Sequence, residues 1–269
     1  MERTDQQTAQ TLRAQQGEFN WVDLAAKDLE AQTRFYEALF GWSHRDVAEP
    51  GAPVYRMFTL DGAIVAGASQ LTPEMMAAPV PSVWNTYLAA DDVDGLANRA
   101  AGLGAQVFMP PMDAAKEVRL AGIQDPTGAP VFLLKSSGAA QAGAFGVPGA
   151  LMWNDLNTRR PEKAMAFYTG LLPTWRLQQV RQGPAPYWTI EVGGQAEGGI
   201  MPMPESVPGD VPAHWLVYFG VEDAYAAAEK AKSLGATATM EPMDVGVTVF
   251  DVLADPFGAI FAVMTPAKG

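Results

Sequence analysis

Apolar and polar positions along this chain change period in a fixed rhythm. Residues 19–24 alternate and then give way, over residues 29–40, to a stretch in which Phe35, Leu39 and Phe40 recur at helical spacing. Three short strand-like runs follow, near residues 43–47, 55–60 and 64–71. The rhythm then starts again, with a strand over 84–89, a helix over 93–103, and strands over 105–109, 118–124 and 130–135. Gly104 marks the end of that second helix, as glycine commonly does. Asp125-Pro126-Thr127-Gly128 reads as a tight turn, because Asp and Pro set its start and Gly takes a positive φ. The predicted unit is βαβββ, used twice.

The whole passage is itself repeated. Laid on itself at a shift of about 131 residues, the chain matches in order, and a period of that size means duplicated domains rather than a solenoid. Trp21, Asp23 and Leu24 fall on Trp153, Asp155 and Leu156, and Phe35-Tyr36 on Phe167-Tyr168. Trp42 falls on Trp175 after one inserted residue, Tyr55 on Tyr187, Gly67 on Gly199 and Trp84 on Trp215. The turn Asp125–Ala129 meets a second such turn that begins at Asp255. This predicts a tail over residues 1–17, a first domain over 18–135, a Gly- and Ala-rich linker over 136–149, and a second domain over 150–269. At 269 residues there is room for one large domain, or for two that each bury a core.

Charge and composition narrow the function. The net charge is -12, with 18 Lys+Arg against 30 Asp+Glu, so phosphate backbones and anionic lipids are repelled and neither nucleic acid nor membrane is expected as a partner. No apolar run is long enough to span a bilayer, and the N-terminal residues have no apolar core of the secretory kind. With no cysteine there is no disulfide, thiolate nucleophile or thiolate-bound metal, and a cytoplasmic location fits best. No dinucleotide fingerprint, P-loop or Ser-His-Asp order is present.

The stretches DLAAKDLEAQTRFYEALFGW, AADDVDGLANRAAGLGA and DPTGAPVFLL, with their second-copy equivalents, resemble the vicinal oxygen chelate superfamily. That superfamily includes glyoxalase I, extradiol dioxygenases and bleomycin and fosfomycin resistance proteins. The resemblance implies an α+β fold of two tandem glyoxalase-like domains, each a half-open barrel of paired βαβββ units. It also implies where a divalent ion would be held: on the first strand, on the strand opening the second unit, and on the last strand. Those places are occupied by Trp21, Asn85 and Phe132 in copy one, and by Trp153, Leu216 and Ala262 in copy two. None is a histidine or carboxylate, and the two histidines of the chain, His44 and His214, lie elsewhere, so neither metal nor other cofactor is expected.

Walls of Trp, Asn, Leu, Phe and Ala suit an organic ligand held by area and stacking. Six of the seven tryptophans fall in matched pairs, and Trp21 and Trp153 are expected to floor the two barrels. Tyr55 and Tyr187 are candidates to stack on the ligand or hydrogen-bond to it. Asp23 and Asp155 sit two residues from the floor tryptophans and share their face. Either is a general acid or base in apolar walls, or a structural acceptor closing the floor. The expected function is metal-independent binding of a flat, largely apolar molecule such as an aromatic natural product, for sequestration, resistance or as a biosynthetic accessory. The alternative is a metal-free isomerase, cyclase, lyase or hydroxylase-like enzyme using Asp23 or Asp155. The duplication suits a monomer that mimics a dimer of single-domain chains, or a homodimer.

Overall fold

A computed structural model describes residues 14–47, 53–77, 81–115, 117–136 and 142–265. The proposed tail, linker and C-terminal end therefore lie partly outside the described residues. Copy one runs β1 (Phe19–Ala26), α1 (Leu29–Phe40), β2 (Ser43–Val47), β3 (Tyr55–Leu60), β4 (Ala63–Gln70), a short α2 (Pro73–Met76), β5 (Val83–Ala89), α3 (Val93–Gly102), β6 (Gln106–Ala115), β7 (Val118–Gln124) and β8 (Pro130–Ser136). Copy two repeats it with β9 (Leu151–Thr158), α4 (Pro161–Leu171), β10 (Arg176–Arg181), β11 (Tyr187–Val192), β12 (Gln195–Pro202), β13 (His214–Gly220), α5 (Ala224–Ser233), β14 (Thr237–Ala238), β15 (Met243–Asp244), β16 (Val249–Ala254) and β17 (Ile260–Met264).

Local chemistry explains the element ends. Asp28, Asp92 and Asp223 cap α1, α3 and α5, each carboxylate accepting from a backbone N–H three residues on. Gly41 closes α1 in the left-handed region at φ 74°, which a Cβ would penalise. Among the described residues, α2 is the one helix that was not anticipated. β6 is longer than its pattern suggested and is bulged three times, around the consecutive prolines Pro110 and Pro111. Its counterpart in copy two breaks into β14 and β15 on either side of Pro242. Proline has no N–H to give to a ladder, so neither strand pairs without interruption.

Each copy forms one mixed sheet, ordered β2-β3-β4-β1-β5-β8-β7-β6 and β10-β11-β12-β9-β13-β17-β16-β14, with β15 on β16. Within a unit the first strand pairs parallel with the last, and the two units meet along the antiparallel pairs β1·β5 and β9·β13. Both sheets curve without closing, which leaves a half-open barrel in each copy.

The large cores do not follow the copies. One joins Leu24, Phe35, Tyr36, Trp42 and Phe58 of copy one to Phe219, Ala228 and Phe261 of copy two. The other joins Leu88, Leu96, Ile123 and Leu133 of copy one to Phe167, Tyr168, Leu171, Trp175 and Ile190 of copy two. The first unit of each copy thus packs its helix against the second unit of the other. The matched tryptophans secure this crossing. Trp42 Nε1 donates to Gly149 O at 2.7 Å, and Trp175 Nε1 to Gly17 O at 2.9 Å. Trp84 Nε1 donates to the Tyr36 hydroxyl at 2.8 Å, which donates to Asp255 at 3.0 Å across the copies, beside a second donor, Gln32 Nε2, at 2.6 Å. On the opposite side Trp215 Nε1 donates to the Tyr168 hydroxyl at 3.0 Å, and that phenol faces Asp125. Ala164 stands where Gln32 does, and Asp125 Oδ2 has no partner at hydrogen-bond distance.

One carboxylate at this crossing makes stability depend on pH. Glu197 takes the place of the buried Val65 of copy one, and its Oε2 accepts from Phe19 N at 3.1 Å. Burial pushes its carboxyl up to about 7, with Glu18 adding repulsion. The folded protein therefore holds this proton more tightly than the unfolded chain. The contribution is full below the ordinary carboxylate range and is lost as pH rises through about 7. Glu197→Gln is expected to flatten the decline in urea midpoint over that window. It should gain about 1–2 kcal/mol at pH 8, after allowance for the group's remaining contact with water. An unchanged pH profile would remove Glu197 as the cause.

Candidate functional site

The other face of each sheet is the concave one. Strand alternation sends Val22 and Leu24 into a shared core and turns Trp21 and Asp23 the other way. Register then brings partners alongside: Asp23 lies opposite Asn85 on β5 and Gly67 on β4, Trp21 opposite Tyr87, and Tyr87 beside Phe132 on β8. Trp21, Tyr87 and Leu134 are buried together with Tyr55, Met57, Leu120 and Phe132 packed against them. In copy two, Leu216, Tyr218 and Ala262 are joined by Trp153, Phe250, Val252 and Met264.

At the centre of each face is a carboxylate surrounded by donors. Asp23 Oδ1 accepts from Asn85 Nδ2 at 2.8 Å, and its Oδ2 accepts from the Tyr87 hydroxyl at 2.8 Å and the Tyr55 hydroxyl at 3.0 Å. Trp21 Nε1 in turn donates to the Tyr55 oxygen at 2.9 Å. Copy two has Leu216 in place of Asn85, and its indole makes up the missing donor. Trp153 Nε1 is shared between Asp155 Oδ1 at 2.9 Å and the Tyr187 oxygen at 2.8 Å. The Tyr187 hydroxyl donates to Oδ1 at 2.7 Å and the Tyr218 hydroxyl to Oδ2 at 2.8 Å.

Burial raises the pKa of Asp23 and Asp155, and the hydrogen bonds they accept offset part of that rise. The same desolvation, reinforced by the neighbouring carboxylates, lifts all four phenols above their ordinary range and keeps them as donors.

The matched glycines explain how the phenols reach the carboxylates. A Cβ on Gly67 would lie 2.0 Å from the Tyr55 hydroxyl oxygen, and one on Gly199 would lie 2.1 Å from that of Tyr187. Gly67→Ala is expected to displace Tyr55, removing one of the three donors to Asp23 and the acceptor of Trp21 Nε1, and to cost at least about 2 kcal/mol. A urea midpoint within error of the parent would show that the phenol is not held there.

Each candidate site residue named from the sequence lies on one of these two faces. Trp21, Asp23, Tyr55, Asn85 and Phe132 meet in copy one, and Trp153, Asp155, Tyr187, Leu216 and Ala262 meet in copy two. Of the paired tryptophans, only Trp21 and Trp153 belong to the floors, the other two pairs being core. The residues missed were Tyr87 and Tyr218, which lie two positions beyond Asn85 and Leu216. Alternation along one strand, together with their match across the repeat, was the signal that marked them.

A divalent ion does not fit this donor set. The positions implied by the family hold indole, amide and phenyl in one copy and indole, isobutyl and methyl in the other. The carboxylate at the centre of each face already has both oxygens engaged. Among the described residues no three His, Asp or Glu converge as a metal-binding group. His44 is within 2.6 Å of Glu37, and His214 within 3.0 Å of the Pro212 carbonyl. What the arrangement offers is aromatic surface beside a buried acid with phenolic donors.

Known proteins share this architecture. The sequence model of the Glyoxalase/Bleomycin resistance protein/Dioxygenase superfamily matches residues 18–131 and again 150–263. CFP32 of Mycobacterium tuberculosis, provisionally named a glyoxylase, is 41% identical over 256 residues, covering 94% of this chain and 96% of that one. The anthracycline biosynthesis protein DnrV of Streptomyces peucetius is 33% identical over 263 residues, covering 93% of each. The Mn(II)-bound glyoxalase of Novosphingobium aromaticivorans superposes with a TM-score of 0.65 at 19% identity, covering 94% of this chain and 83% of that one, a likeness of fold.

Proposed function

This chain belongs to the Glyoxalase/Bleomycin resistance protein/Dioxygenase superfamily, and from that premise we propose that it binds a flat, largely apolar aromatic molecule without a metal ion. The observation that carries this reading is the replacement of metal ligands by aromatic and aliphatic side chains around a carboxylate roofed by tyrosines. Trp21 or Trp153 would supply stacking area, and the Asp23 or Asp155 cluster would orient a ligand hydroxyl or carbonyl. DnrV is by its name an anthracycline biosynthesis protein. A polycyclic aromatic natural product is therefore the ligand class we assign, with an accessory or protective role in the cytoplasm of its producer. Two sheets in one chain would stand in for the two chains of a single-domain dimer. Among the described residues no helix is long and apolar enough to cross a membrane.

The burial-raised pKa of Asp23 and Asp155 supports a second reading, metal-free acid–base catalysis. Under catalysis, Asp23→Asn or Asp155→Asn abolishes turnover at nearly unchanged affinity. Under binding alone, the same change loses a hydrogen bond, about 1 kcal/mol of affinity.

Tryptophan fluorescence titrated with planar polycyclic quinones tests the primary reading. Saturable quenching is expected, removed by Trp21→Ala or by Trp153→Ala and unaffected by EDTA. Absence of quenching across the panel would overturn ligand binding at these faces, and loss of binding on chelation would overturn metal independence.

A further inference from the structure

The two concave faces are built to the same plan but finished differently. In copy one, Phe132 stacks on Tyr87, with centroids 4.8 Å apart and planes at 21°. Phe108 stands edge-on to Phe132 at 5.5 Å. Its ring lies so close over Gly122 that a Cβ there would be 2.4 Å from it, yet Phe108 remains 43% exposed. An unbroken aromatic path, Phe108–Phe132–Tyr87, therefore leads from solvent to the Asp23 carboxylate.

In copy two the matching positions are Thr239, Ala262 and Tyr218. Thr239 turns its hydroxyl to the Val252 carbonyl at 2.8 Å, and Ala262 is fully buried. Phe250, standing where copy one has Leu120, packs against Tyr218 at 5.7 Å. The Arg181 guanidinium lies 5.7 Å from the centroid of Tyr187, covering a ring that would otherwise be free to stack. Met112 and Met243 are matched and both exposed, so the difference lies in the aromatic residues.

We propose that the first copy alone takes the planar ring system, with Phe108 and Phe132 as the specificity-determining residues, while the second copy is closed to it. This rests on the reading that a concave face binds a planar ligand. The aromatic path supplies stacking surface at its outer end and a fixed hydrogen-bonding cluster at its inner end. A neutral fused-ring molecule with an oxygen substituent at one edge matches both. The second face, with its aromatic ring turned inward and a cation at its rim, matches neither.

The test is calorimetric titration of the full chain with 1,4-dihydroxyanthraquinone. One site per chain is expected. Phe108→Thr, which installs the copy-two residue at an exposed position, and Phe132→Ala should each weaken binding about tenfold, the loss of one aromatic pairing. Phe250→Ala should remain within about twofold of the parent. Two equivalent sites, or a loss caused by Phe250→Ala and by neither copy-one variant, would overturn the assignment to copy one while leaving ligand binding intact. No saturable binding by the unaltered protein would overturn the functional reading and this inference with it.

Discussion

Produced separately, segments 18–135 and 150–269 are expected to show no cooperative unfolding transition, whereas the whole chain unfolds in one. Each large core takes half its side chains from each copy. A lone copy would strip the partners of the other copy from Phe35, Tyr36, Trp42 and Phe58 at one end of its helix-bearing face, and from Leu96, Ile123 and Leu133 at the other end. Burying one such side chain is worth about 1.5–3 kcal/mol. The loss of several exceeds the net stability of about 5–15 kcal/mol that a folded domain retains. Urea unfolding followed by circular dichroism and by tryptophan fluorescence checks this, with coincident curves for the whole chain. Mixing the two segments should restore a transition. A lone segment that unfolds cooperatively would show that the concave-face cluster and the sheet suffice as a core.

The second large effect is expected from the tryptophans that lock the copies together. Trp42→Ala and Trp175→Ala should each cost about 3–5 kcal/mol, the range for emptying a tightly packed aromatic site. Both indoles are almost fully buried. Trp42 lies against Phe40, Phe58 and Phe219, at 4.8, 4.9 and 5.4 Å between centroids. Trp175 stacks on Tyr168 at 5.2 Å and meets Phe19 at 5.7 Å. Each also ends on a backbone carbonyl, of Gly149 or Gly17, that would otherwise be left without its donor. Conversion to Phe keeps most of the area and loses mainly that hydrogen bond, about 1 kcal/mol beyond the small volume change. The two positions are related by the repeat, so their losses should be similar. A shift in urea midpoint for one and none for the other would show that the crossing is held from one side only.

The arrangement gives the two tandem domains a physical reason to share one chain. Asp255 belongs to the closing turn of copy two, yet it accepts from Tyr36 and Gln32 of copy one, and Tyr168 of copy two faces Asp125 of copy one. A turn that reads as local punctuation is in fact an acceptor for the other copy's helix. The concave faces, freed from the main packing, can hold polar groups at their centres because each oxygen of Asp23 and Asp155 has a donor.

Much of the site was legible in the sequence because strand geometry is local. Trp21 and Asp23 share a face whatever surrounds them, and so do Asn85 and Tyr87. The matched Gly67 and Gly199 were visible as a pair. Their reason was not, since only the fold brings the Tyr55 and Tyr187 hydroxyls to where a Cβ would stand. The substitution of Asn85 by Leu216 was visible too. Its compensation by the Trp153 indole needed distances.

The sequence by itself determined the order of elements, the repeat, and which neighbouring residues of a strand share a face. Elements and faces follow from periods of 2 and 3.6 residues, which act over a few neighbours at a time, and the repeat from the matching order of residues. Only the tertiary structure decided which copy's helix covers which sheet, and so what buries Trp42, Trp84, Trp175 and Trp215. Hydrophobic pattern marks a face for burial but carries no address for the surface that buries it; in this chain that surface belongs to the other copy.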